Sequence, residues 1–333
     1  MGIVARGIAS VSMQVCDPQT WRGHPELFHY TSAAAFENIV RSNSFWASHY
    51  EDMKDKTEVK GLRHKLPPAI AATYDAIVAR HHTTRIARRL WKKDGKGLGT
   101  AKDFVNALYG ATFDKMAPTG LDAFVTSFST HAGDGDFERE HGLWSQWAEY
   151  ASPDGFCIVL DTKRLGILLA EECDLRYWAH IKLDPVRYDD LPIGELFPEL
   201  VAAAGRSLEQ FMAKVREPEM GVQEFLVGST LLKEAQYRPE REVRIVAIPG
   251  TARMTEIALK ERTYGFKELP LPTVHTREVD GKPKRYVSVF EGKPIALPIT
   301  RIIVGPAAGQ AGVDLARSLV SDVQVSLSTA AAP

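Results

Sequence analysis

At 333 residues the chain exceeds one typical domain without demanding two, and its 44% hydrophobic and 25% charged content is that of an ordinary globular protein rather than a disordered or fibrous one. A formal net charge of −1 excludes neither nucleic acid nor a small-molecule substrate, but leaves any electrostatic guidance to local patches. The three cysteines, Cys16, Cys157 and Cys173, show no Cys-x-x-Cys spacing and argue against a disulfide framework, so a reducing cytoplasm is the expected compartment.

No apolar run is long enough to cross a bilayer, and residues 1–14 lack the sustained apolar stretch of a secretory signal. Residues 1–24 read as a weakly structured lead-in to a single domain over 25–327. Leu27 to Thr31 is apolar and aromatic enough for a short strand. Ser32 then caps a helix whose stripe is Phe36, Ile39 and Val40, ending near Asn43, and Phe45-Trp46-Ala47-Ser48 is a second strand. A charged loop over 51–58 leads into a helical, basic insertion around 59–118. There Pro67-Pro68 precedes a helix over 69–92, glycines over 95–99 make a loop, and helix resumes at 101–117.

Ala123 to Ser129 is strand, followed by an acidic loop with Asp134, Asp136 and Glu138. Leu143, Trp144, Trp147 and Tyr150 recur at helical spacing, with the tryptophans expected in the core. Residues 155–161 form a near-continuous apolar strand, which should bury Cys157 as an inert thiol. Strand follows over 176–188, helix over 194–235, and strand over 242–248. Residues 254–304 read as strand-rich with a hairpin at Asp280-Gly281. The chain closes with a strand into Gly305-Pro306, a helix over 309–320, a last strand over 322–327 and a disordered tail at 328–333. Strands and helices mix without regular βαβ alternation, which gives an α+β fold.

Several landmarks occur in one order: Phe28-His29-Tyr30-Thr31-Ser32, Phe45-Trp46-Ala47-Ser48, Thr57-Glu58 in a charged loop, Ser127-Phe128-Ser129, Leu143-Trp144-Ser145-Gln146-Trp147-Ala148, Gly155-Phe156-Cys157-Ile158, Lys233, and Glu240-Arg241-Glu242-Val243-Arg244. This ordered set, from about residue 26 to 320, resembles the bacterial family catalogued as domain of unknown function 2971. Met53-Lys54-Asp55-Lys56 departs from the Asn-Asp-Pro-like turn of that family. The strand–helix–strand opening, the Ser-Phe-Ser strand and the Glu-x-Glu pair also look like ADP-ribosyltransferase folds.

The second resemblance implies a split mixed sheet with helical insertions and NAD as substrate. It implies His29 on a ribose, Tyr30 on nicotinamide with Thr31 beside it, Ser127 and Ser129 lining the pocket, and Glu242 as the catalytic carboxylate assisted by Glu240. Family context implies a cytoplasmic toxin or antiphage effector that modifies a macromolecule or hydrolyses NAD, with no metal.

These residue types suit glycosidic chemistry. Breaking the bond between ribose C1 and cationic nicotinamide builds positive charge on the sugar, which a fixed carboxylate stabilises. On a strand, Glu240 and Glu242 point to one side, and so do Ser127 and Ser129. The same alternation sends His29 and Tyr30 to opposite sides, so they enter one pocket only if the strand twists or ends there. A neutral histidine nitrogen can bond a ribose hydroxyl, and a tyrosine ring can meet nicotinamide. As structural alternatives, the glutamates would form surface cross-strand pairs with arginine, and the serines would cap a turn.

Two other functions compete. The basic residues from Arg80 to Lys102 would serve a non-catalytic module that binds nucleic acid or a partner protein. Asp134, Asp136 and Glu138 would serve a metal-dependent nuclease.

Overall fold

The computed structural model describes residues 15–53, 58–94, 98–113, 121–131, 133, 135–215, 221–260, 267–279, 281–293 and 296–331. The fold is mixed α/β, with a large mixed sheet whose two faces are covered by helices. Asp17 caps a short helix, α1 (Pro18–Gly23), by accepting from Gln19 N. Ahead of it Val15 is buried and its carbonyl accepts from Leu183 N, so residues 15–24 pack on the body and do not trail from it.

Strand β1 (Glu26–Thr31) leads through α2 (Ala33–Ser42) to β2 (Phe45–His49). Ser32 accepts from Ala35 N at the start of α2, and Asn43 closes it in the left-handed conformation, φ 52°. Helix α3 (Glu58–His81) carries Pro67 and Pro68 inside it, where the sequence reading placed them ahead of its start. The diproline forfeits backbone donors, and burial of Leu62, Leu66, Ile70 and Tyr74 on one side of the helix offsets that loss. The helix breaks after His81, and α4 (Arg85–Asp94) and α5 (Ala101–Phe113) follow.

Strand β3 (Phe124–Ser129) lies at the heart of the sheet. Between it and β4 (Phe156–Asp161) come α6 (Asp136–His141), α7 (Trp144–Gln146) and a π turn over Trp147–Ala151. Helix α8 (Thr162–Leu175), strands β5 (Trp178–Pro185) and β6 (Arg187–Tyr188), and helices α9 (Ile193–Leu196), α10 (Pro198–Met212) and α11 (Val222–Leu231) come next. Then β7 (Leu232–Lys233), a 3-10 turn over Ala235–Glu240, and β8 (Glu242–Pro249) complete the central region. Residues read as strand-rich begin instead with a helix, α12 (Ala252–Lys260), before the hairpin β9 (Val274–Val279) and β10 (Lys282–Val289). Gly281 turns that hairpin at φ 70°, while Asp280 lies outside the described residues. Strand β11 (Ile299–Val304), helix α13 (Gly309–Leu319) and β12 (Gln324–Leu327) end the fold.

One edge of β3 pairs with β8 along its whole length, from Phe124↔Ala247 to Ser129↔Glu242. Its other edge is shared. β2 takes the start, at Ser48↔Val125 and His49↔Phe124, and β1 takes only the end, at Phe28↔Ser129. From β1 the sheet continues to β4, β11 and β12, and from β2 to β10 and β9. The sheet is therefore split opposite the middle of β3. Among the described residues, pairing in this sheet is antiparallel except between β11 and β12, and β6 and β7 form a separate parallel pair.

One face buries Leu27, Phe45, Phe128, Phe156, Val243 and Ile245 beneath α2, α8 and α13. On the other face α3, α5, α10 and α11 pack together and against Val246 of β8. The helical insertion thus joins the later helices in one layer on the sheet. Residues 328–331, expected to be disordered, are tied down: Ser328 and Ala330 are buried, and Ser328 Oγ donates to His141 O at 2.6 Å.

Candidate functional site

At the rim where β3 ends and β8 begins, strand register places Ser129 beside Glu242 and Ser127 beside Arg244. Antiparallel partners share a face, so these four side chains lie together on the helical-layer side. Arg244 grips Glu242 with two bonds, Nε to Oε1 at 2.7 Å and Nη2 to Oε2 at 2.8 Å, and its Nη1 donates to Thr230 O at 2.6 Å. Lys233 Nζ adds a contact to Glu242 Oε2 at 3.2 Å, and the Ser127 hydroxyl bonds the same carboxylate. All three ionised side chains are buried. Burial pushes the Glu242 carboxyl up, yet Arg244 and Lys233 outweigh it and hold the pKa at about 2.

Glu242 is thereby saturated. A carboxylate offers about four lone-pair directions, and Arg244 fills two, Lys233 one and Ser127 one. The residue expected to face substrate instead anchors the cluster.

Glu240 differs. It does not extend β8, because Arg241 adopts the left-handed conformation at φ 44° and separates the strand from the 3-10 turn. The strand argument for Glu240 and Glu242 therefore fails, and their shared side comes from Lys233. Its Nζ lies 2.6 Å from Glu240 Oε2 while also touching Glu242. The hydroxyl of Tyr150 donates to Glu240 Oε2 at 3.1 Å from the π turn. The other Glu240 oxygen has no hydrogen bond among the described residues, and its side chain is 19% exposed. Tyr150 is 44% exposed.

Three tyrosines frame the pair of carboxylates. Tyr150 stands at the rim; Tyr237 lies beneath Lys233, 4.9 Å from ring centre to Nζ; and the Tyr188 hydroxyl accepts from Glu242 N at 3.0 Å. Burial raises the Tyr150 hydroxyl above its ordinary pKa, Lys233 opposes this, and the two glutamates add to it, so the phenol keeps its proton. Ser129 Oγ donates to Gln146 Oε1 at 2.7 Å, which ties β3 to the turn bearing Tyr150.

The N-terminal residues land elsewhere. Phe28 pairs with Ser129, so Tyr30 shares the Glu242 face and His29 takes the other. The His29 ring fills the split in the sheet between Phe45 and Phe128, and its Nδ1 bonds Ser127 O at 3.0 Å. A carbonyl only accepts, so Nδ1 carries the proton. Burial lowers the pKa of this histidine, which keeps it neutral. Thr31 is buried on the same side as His29. His29 and Thr31 therefore cannot meet a ribose held beside Glu242.

Tyr30 is on the correct face but is buried edge-on against Trp147, 5.0 Å between ring centres. Its hydroxyl accepts from Leu143 N at 3.0 Å and lies 2.9 Å from His131 Nε2. Gly142 at φ 78° makes room for this packing, since a Cβ there would come within 2.9 Å of the hydroxyl. Tyr30 braces the site and presents no open face to nicotinamide. Trp147 is fully buried as expected, and so is Cys157, whose thiol burial pushes well above its ordinary pKa.

Of the acidic loop, Asp134 lies outside the described residues, and Asp136 and Glu138 are on the short helix α6. Among the described residues no three His, Cys, Asp or Glu side chains gather as a metal would require. Lys233, Arg244, Tyr150, Tyr188 and Tyr237 were given no catalytic or binding role from the sequence. No protein family, curated protein or solved structure matches this chain.

Proposed function

We propose that the rim around Glu240, Lys233 and Tyr150 cleaves the glycosidic bond of NAD, passing ADP-ribose to a macromolecular acceptor or to water. One observation carries the reading: two glutamates share one buried lysine at the end of a split sheet, and one of them keeps a carboxylate oxygen with no bonded partner among the described residues. The resemblances to the 2971 family and to ADP-ribosyltransferase folds agree with it.

In the reaction the C1–N bond breaks with its electron pair leaving on nicotinamide, which departs neutral. Positive charge spreads over the ribose ring, and the Glu240 carboxylate faces it. The same carboxylate then takes the proton of the attacking hydroxyl or water. Lys233 fixes Glu240, while Glu242, itself held by Arg244, fixes Lys233. Tyr150 gives an aromatic wall at the opening. Compared with the sequence reading, the carboxylate facing substrate moves from Glu242 to Glu240, and His29, Tyr30 and Thr31 pass from substrate contacts to support.

The test is incubation with NAD labelled in the nicotinamide ring, with and without cell lysate as acceptor source. Release of free nicotinamide is expected, falling at least a hundredfold in Glu240→Gln, within the range typical of a lost acid–base group. Release unchanged in that variant would remove Glu240 from the chemistry.

A further inference from the structure

The basic helix α4 has an outward surface that the site does not use. At about 100° per residue, Ala87 and Trp91 fall on one line and Arg89 and Lys93 on the line opposite. Exposure follows this pattern: Ala87 and Trp91 are half-buried, while Arg85, Ile86, Arg88, Arg89, Leu90, Lys92 and Lys93 are all exposed.

Trp91 pins the helix to the body. Its Nε1 donates to the Tyr74 hydroxyl at 2.9 Å, and its ring packs near His82 and Phe211. Outward, Ile86 is 73% and Leu90 54% exposed, one turn apart and flanked by the cations. Among the described residues none of Arg85, Arg88, Arg89, Lys92 or Lys93 has an acidic partner.

We propose that α4 lies in the plane of an anionic lipid surface, with Ile86 and Leu90 entering the acyl boundary and the cations nearest that line, Lys93, Arg89 and Arg85, meeting headgroup phosphates. Charge complementarity names the sign of the partner, and the apolar pair names its kind. Phosphates alone would satisfy the cations of a nucleic-acid site but leave Ile86 and Leu90 in water. The aromatic side chain in the helix that a single strand would stack on is Trp91, and it is turned inward and hydrogen-bonded. A helix rich in Lys and Arg on one side with aliphatic residues beside them is the pattern of interfacial binding.

The test is co-sedimentation of the full chain with vesicles of phosphatidylcholine and phosphatidylglycerol in equal parts, against pure phosphatidylcholine. Binding is expected only to the anionic vesicles, and weakening with salt. Each cation contributes about fivefold in affinity near such a surface, so the variant Arg85→Glu, Arg89→Glu, Lys93→Glu should lose roughly a hundredfold or more. The variant Ile86→Asn, Leu90→Asn should lose roughly a hundredfold or more from the lost apolar burial. All five side chains are exposed, so the thermal midpoint of both variants should match wild type, which separates a lost surface from a lost fold. Three results would each overturn the proposal: equal binding to neutral vesicles, vesicle binding unchanged by the Ile86/Leu90 variant, or tighter binding to a single-stranded RNA or duplex DNA oligomer that the Ile86/Leu90 variant leaves intact.

Discussion

Replacing Glu242 by Gln removes the anion between two buried cations. Arg244 is 1% exposed and directs Nε and Nη2 at this carboxylate, and Lys233 is 6% exposed. An amide of the same shape can accept from one of these donors but cannot neutralise them. Breaking a buried pair from one side costs about 3–5 kcal/mol, because a charge is left uncompensated. The cost should fall below that range here by the share of Lys233 that Glu240 still neutralises. Substituting Met for Arg244 in the same chain removes the stranded guanidinium, so the double variant should recover most of the loss even though it lacks both partners.

Urea unfolding of wild type, Glu242→Gln, Arg244→Met and the double variant measures this directly as a double-mutant cycle. The expected result is two destabilised single variants and a less destabilised double. A Glu242→Gln chain within about 0.5 kcal/mol of wild type, or fully additive variants, would refute the buried clamp. The outcome also governs how activity is tested. Glu242→Gln disturbs the fold and the hold on Lys233 together, whereas Glu240→Gln alters a partly exposed carboxylate.

The same network sets an acid limit. The Glu242 carboxyl is depressed from 4.5 to about 2, so its stabilisation is fully present above pH 4.5 and is lost as pH falls toward 2. That stabilisation amounts to about 3 kcal/mol, and acid titration of stability should lose its Glu242 component when Glu242→Gln is compared with wild type. Tyr30→Phe should cost about 1–2 kcal/mol by removing the hydroxyl that Leu143 N donates to, and should leave nicotinamide release unchanged; a loss of NAD affinity at intact stability would return Tyr30 to the substrate. Nitrogen shifts of His29 should report a neutral ring protonated at Nδ1 at neutral pH, with a pKa below 6.5, and a charged ring would contradict its packing in the split.

The strands were legible because short runs of apolar, aromatic and β-branched residues are a local signal. Residues 27–31, 45–48, 123–129 and 242–248 each carry that pattern, and the strands of the structure lie close to them. Alternation also required His29 and Tyr30 to part. Which of the two faces Glu242 depends on the pairing of Phe28 with Ser129, a contact across a hundred residues that no local pattern encodes.

Glu240 was misplaced because the break before β8 falls at Arg241, a residue type with no special preference for positive φ. Lys233 stood out only as a landmark, since its role depends on the 3-10 turn that folds Glu240 back over it. Tyr150 reaches Glu240 from 90 residues away, so its helical spacing spoke only of packing. The tail at 328–331 looked frayed by composition, and it is held by His141, a long-range partner.

If the rim cleaves NAD as proposed, the ribosyl group sits against Glu240. A crystal structure of the chain with a non-hydrolysable NAD analogue tests it most directly. The ribose is expected beside the Glu240 oxygen that bonds neither Lys233 nor Tyr150, with those two side chains in contact and Glu242 still held by Arg244. An analogue bound on the His29 side of the sheet, or at a site remote from Lys233, would contradict it.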